Sequence, residues 1–107
     1  MKPLVKFIKL NNLQYNANRD PQVYRRVVSE PFRIQAALEG TGTARCSLID
    51  AQGKVLASAE VNTPGTFTQE IAFPSHGIRV VSLVVERGAE RFSQDLRLDV
   101  LDHAWIG

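Results

Sequence analysis

The chain has 107 residues, 44% of them hydrophobic and 22% charged, with a formal net charge of +2. That is the length of one domain, with enough apolar content to bury about 60–70% of its unfolded surface, which excludes wholesale disorder. No apolar run approaches the roughly 20 residues of a membrane-spanning helix, and one cysteine, Cys46, excludes an internal disulfide framework.

In chain order, MKPLVKFIKLNNLQYNANRD comes first. Lys6 and Lys9 interrupt its apolar stretch and no small-x-small cleavage site follows, so it is not read as a secretory signal. The expectation is a cytoplasmic chain as written, or a cell-envelope segment if it is excised from a longer one. Leu4 to Leu10 reads as a strand. Asn11 to Pro21 is the longest stretch without apolar periodicity, with Leu13, Tyr15 and Ala17 as its anchors. It reads as a linker, with a recognition loop as the functional alternative. Val23 to Val28 is an eighth strand or the first half of a long strand kinked at Pro31.

From Phe32 onward the signal is alternation with period two. Phe32, Ile34, Ala36 and Leu38 share one face, Gly40-Thr41-Gly42 punctuates, and Ala44, Cys46 and Leu48 resume the pattern. Asp50-Ala51-Gln52-Gly53 has the composition of a tight reverse turn, which makes its flanking strands antiparallel. Val55, Ala57, Ala59 and Val61 come next, then a break at Asn62-Thr63-Pro64-Gly65, then Phe67, Ile71 and Phe73. After Pro74-Ser75-His76-Gly77, Val80, Val81, Leu83, Val84 and Val85 leave almost no polar alternation, the pattern of a central strand covered on both faces. Arg87-Gly88-Ala89-Glu90 turns the chain, and Phe92, Leu96, Leu98 and Val100 close it. Glycine and proline breaks every 8–12 residues leave no room for an ordinary amphipathic helix. Six strands are expected from Phe32 to Leu101, with Leu4–Leu10 as a seventh.

Seven short antiparallel strands in about 100 residues fit an all-β, antiparallel two-sheet sandwich of immunoglobulin type. The runs DAQGKVLASAEV, TPGTFTQEIAFP, GIRVVSLVVERG and RFSQDLRLDV resemble bacterial immunoglobulin-like or fibronectin type III-like domains, over roughly Phe32 to Leu101. The chain departs from the antibody pattern: it lacks the two bridging cysteines, and its only Trp, Trp105, follows the last strand. A small antiparallel barrel is the alternative, because strand periodicity does not show whether a sheet closes. The domain reading is a single unit over 1–107, with an N-terminal strand and loop over 1–31, core strands over 32–101 and a tail over 102–107.

Little in the sequence suggests catalysis. His76 and His103, with Asp99 and Asp102, fall short of a metal-ligand motif and read as solvated loop residues. Cys46 lies on the apolar parity of its strand and reads as core. No Gly-x-Ser-x-Gly elbow or phosphate-cradling glycine loop occurs. Glu86 and Glu90 beside Arg87 and Arg91 read as exposed ion pairs. No enzyme, cofactor or metal is expected.

Charge is uneven: residues 1–33 hold seven basic residues against two acidic ones, and the other 74 hold six against nine. Such a bias suits an anionic partner, although Lys6 and Lys9 also fit the lysines that blunt an edge strand. Trp105 either folds back over the core or anchors a partner. The expected function is a non-catalytic protein-interaction or structural module, acting through a β-edge by partner binding or self-association, or through loops and the C-terminal tail. Tyr15, Tyr24, Arg25, Arg26 and Trp105 are its candidate binding residues. A carbohydrate or other ligand-binding module is the alternative, and a basic-patch nucleic-acid binder the less favoured one.

Overall fold

The structure, a computed structural model, describes residues 4–15 and 25–102. Strands account for 77% of these and no helix is present among them, so the fold is all-β. In chain order the strands are β1 (Val5–Leu10), β2 (Leu13–Gln14), β3 (Arg26–Val27), β4 (Phe32–Asp50), β5 (Val55–Ile71), β6 (Gly77–Arg87) and β7 (Glu90–Leu101). They form one sheet in the order β2-β1-β4-β6-β7-β3, with β5 paired to β4 off that path. Every pairing is antiparallel except β3 with β7, which is parallel. The sheet is therefore mixed, and it curls strongly into a half-barrel.

The curl follows from β4, 19 residues long. Its first half lies between β1 and the distal half of β5, its second half between the proximal half of β5 and β6. Between the halves the β4–β5 register jumps from Leu38↔Gly65 to Gly42↔Thr63, so three residues of β4 face Pro64 alone. Extra residues in one strand bend it and sharpen its twist. Gly40 (φ 97°) and Gly42 (φ 104°) supply backbone angles that other residues adopt only with strain.

This bend corrects the expectation of a two-sheet sandwich. The six strands expected from Phe32 to Leu101 are four, because Gly40–Gly42 and Asn62–Gly65 are bends within continuous strands and not loops between strands. The core side survives the bend. Phe32, Ile34, Ala36 and Leu38 before it, and Ala44, Cys46 and Leu48 after it, are all buried. They pack with Leu10 of β1, Phe67 of β5, Val81, Leu83 and Val85 of β6, and Leu96 and Leu98 of β7 in one cluster. Each fully buried side chain of this size contributes about 1.5–3 kcal/mol.

Strand β6 is central, between β4 and β7 as its composition suggests, but its second face is covered only in part. Val84 is buried, whereas Ile78 is 60% and Val80 40% exposed. The stretch read as a long loop begins instead as a hairpin. Asn11 and Asn12, at φ 54° and 70°, make the two-residue turn joining Leu10 to Leu13, a conformation asparagine tolerates. Residues 16–21 of that stretch lie outside the described region. The segment read as an eighth strand is described from Arg25 onward, where it supplies β3, paired to β7 through Arg26↔Val100 and Val27↔Leu101.

Candidate functional site

Strand β5 pairs with β4 along its length and with no second strand among the described residues. Its inward anchors are few: Phe67 is 1% exposed, Thr63 is buried, and most other positions are open to solvent. The direction of its backbone groups follows from a contact on the far side of β4. Arg33 N–H donates to Asn11 Oδ1 at 2.9 Å, and Asn11 N–H donates to Arg33 C=O at 2.8 Å. Successive residues of a strand bond to alternate sides. Gln35 and Ala37 therefore bond toward β1 with Arg33, and Ile34, Ala36 and Leu38 bond toward β5. Opposite these lie Gln69, Phe67 and Gly65. Thr66, Thr68 and Glu70 consequently aim their N–H and C=O groups away from the sheet.

This edge is a row of donors and acceptors held in strand geometry that meets no second strand among the described residues, a template for a further strand. At its end the Glu70 carbonyl accepts a hydrogen bond from Gln69 Nε2 at 3.1 Å. Pro64, which has no N–H, divides it into Val55–Thr63 and Gly65–Ile71. The second part carries exposed Thr66, Thr68 and Glu70 above buried Phe67. Thr and Phe suit a pleated half-buried ladder, and the single carboxylate sets only a light charge on it. The lysines expected to guard an edge lie elsewhere. Strand β1 is flanked by β2 and β4, Lys6 sits 3.7 Å from Glu39, and Lys9 Nζ lies 5.7 Å from the Phe7 ring centroid.

Of the five candidate binding residues, three are described. Tyr15 is half-buried against the core, and its hydroxyl accepts the Arg97 N–H at 3.3 Å. Arg25 and Arg26 are half-buried at β3, where Arg26 Nη1 donates to Arg25 C=O at 3.2 Å. Tyr15 at Arg97 and Arg26 at Val100 both border β7, so the fold brings these residues to one strand. None of the three borders the β5 edge. Tyr24, Trp105 and His103 lie outside the described residues. His76 is exposed with Nδ1 3.9 Å from Asp102, and no group of three or more metal-binding side chains occurs among the described residues. Cys46 is fully buried, and burial pushes its thiol up from 9.0 to about 11.

Two arrangements were not visible from sequence. One is the open edge itself, since Val55–Ile71 reads as two alternating strands and nothing local says which strand ends the sheet. The other is Arg87. Its pair with Glu90 forms at 3.0 Å, but the arginine side chain is only 16% exposed. Nη1 also donates to Glu39 C=O at 2.6 Å and to Thr63 Oγ1 at 3.1 Å, and Thr63 Oγ1 donates to Gly42 C=O at 2.7 Å. What reads as an exposed ion pair is a bracket holding the bends of β4 and β5 together.

Compared with known proteins, the chain matches no protein-family model, no curated protein and no solved structure.

Proposed function

We propose that this chain is a non-catalytic protein-interaction module that receives a partner strand on the outer edge of β5, from another protein or from a second copy of itself. The observation that carries the reading is the outer edge of Gly65–Ile71, which pairs with no second strand among the described residues and has three outward-facing positions at Thr66, Thr68 and Glu70. Main-chain bonds supply affinity in strand addition, and alternate side chains supply selectivity. The strand is anchored through Phe67, so little ordering entropy is lost on binding. The resemblance of the Phe32–Leu101 segment to immunoglobulin-like and fibronectin type III-like domains agrees with a binding role, as does the all-β architecture.

The test compares the chain with Thr68→Pro, which removes one outward N–H while leaving the inward bonds of Phe67 and Gln69. Solution mass is followed across a concentration series, and partners are captured from native lysate. Association that is lost in Thr68→Pro, with circular dichroism unchanged, is the expected result. A strict monomer that captures nothing, or equal association by both chains, overturns the reading.

A further inference from the structure

We infer that a cleft at the start of β6 binds a small organic carboxylate with an apolar body. The cleft, about 360 Å³, lies between the Asp50–Lys54 turn, the Phe73–Ser75 segment and the first residues of β6. That volume is at the small end of ligand clefts. The inference is independent of strand addition, because no residue it uses lies in Gly65–Ile71.

The apolar side of the cleft is Leu56 and Phe73, both half-buried and packed against the core cluster. The Phe73 ring is held edge-on to buried Phe32, with centroids 6.0 Å apart. An apolar surface inside a concavity gains by being covered, at about 25 cal/mol per Å².

The polar part is Arg79. Its guanidinium carbon lies 5.7 Å from the Phe73 ring centroid, and Nη2 donates to the Ser75 carbonyl at 3.2 Å and to the Ser75 hydroxyl. These contacts fix the plane of the group without neutralising it, since no carboxylate pairs with Arg79 among the described residues. Its Nε is buried and has no acceptor, and a buried donor is ordinarily satisfied. Lys54 lines the same cleft and likewise pairs with no carboxylate among the described residues. Asp50, the one acid in the lining, uses Oδ1 to accept the Gln52 and Lys54 N–H groups at 2.9 and 2.8 Å. The cleft therefore holds two cations against one carboxylate committed to its own turn.

A ligand that answers both features carries an anionic head for Arg79 and Lys54 and a hydrocarbon body over Leu56 and Phe73. The planar guanidinium fork matches a carboxylate in particular. A bare inorganic anion leaves the apolar wall wet, and a neutral amphiphile leaves the cations unanswered.

The experiment is titration with decanoate below its micelle concentration, read by calorimetry and by backbone amide NMR shifts, with decanol and acetate as parallel probes. Saturable one-to-one decanoate binding is expected, with shifts confined to Asp50–Leu56, Phe73–Ser75 and Gly77–Val81. Decanol and acetate should bind at least about tenfold more weakly, equivalent to about 1.4 kcal/mol. Arg79→Gln and Lys54→Gln should each weaken decanoate several-fold. The lysine is exposed, so its variant keeps the fold even if the arginine variant does not. Thr68→Pro should bind decanoate normally, which separates this result from the fate of the β5 edge. Absence of decanoate binding, decanol binding as tightly, shifts elsewhere, or unchanged affinity in Lys54→Gln overturns the assignment.

Discussion

The Arg87 guanidinium occupies the space that a side chain on Gly40 would need. A Cβ built at Gly40 would overlap Nη1, Nη2 and Cζ of Arg87, and φ at Gly40 is 97°. The bend of β4 therefore depends on a missing side chain at one position and a long cationic one 47 residues later. Gly40→Ala should destabilise the fold by about 2–4 kcal/mol, combining strain in the left-handed region with loss of the hydrogen bonds that Arg87 makes. Urea unfolding should show a lower midpoint at unchanged slope.

The bonds from Arg87 can be tested through their coupling to that glycine. Arg87→Met removes the donors to Glu39 C=O and Thr63 Oγ1 and should cost about 2–4 kcal/mol. Arg87→Lys should recover less than half of this, because a single ammonium cannot bridge both acceptors and Glu90 as the fork does. Combined with Gly40→Ala, the methionine variant should cost less than the two losses added together, since alanine has already displaced the guanidinium. Strict additivity in a double-mutant cycle would show that the two residues act separately.

The Arg87–Gly40 relationship also marks where the sequence stops being legible. The inner face was readable along Phe32–Leu48 and again at Leu96, Leu98 and Val100, because a strand that buries one side must alternate. Gly40–Gly42 and Asn62–Gly65 look like breaks in the sequence, since glycine and proline punctuate loops and bends alike. What made them bends is a contact from the end of β6, which no local pattern encodes. The parallel pairing of β3 with β7 was hidden for the same reason. The candidate edge was illegible too: alternation in Val55–Ile71 gives the face of each side chain but not the number of neighbouring strands. Arg25 and Arg26 stand out by charge clustering, and such clustering carries no information about which edge stays open.

Cys46 gives the fold an alkaline limit. Its thiol titrates at about 11 in the folded chain, against 9.0 when unperturbed, because burial disfavours the thiolate. The raised folded value means that the stabilisation is complete below pH 9 and is lost as the pH climbs through about 11. At about 1.4 kcal/mol per unit, the loss is about 2–3 kcal/mol. Cys46→Ala should flatten this part of the stability–pH curve, at the cost of a small cavity. In the native chain at pH 8, a thiol-specific reagent should react only at the rate of unfolding.

Tyr15 should matter in a local and measurable way. Its hydroxyl accepts the backbone N–H of Arg97 on β7. Tyr15→Phe keeps the ring against the core and deletes that acceptor, so the global cost should be about 0.5–1 kcal/mol. Hydrogen exchange at the Arg97 amide should accelerate, with Leu96 and Leu98 unchanged. An unaltered Arg97 rate would show that the hydroxyl does not cover this edge.

The outward direction of the β5 groups makes a residue-by-residue prediction. Phe67 and Gln69 bond inward to β4, so their amides should exchange slowly, with opening energies near that of global unfolding. Thr66, Thr68 and Glu70 face solvent and should exchange orders of magnitude faster, giving an alternating profile along one strand. When a partner strand is added, the three fast amides should become slow while the two slow ones stay as they were. That pattern separates strand addition from contact through side chains alone, which would leave the alternation in place. A free chain already protected at all five amides would mean that the edge is covered before any partner arrives, and the proposed interface would be lost with it.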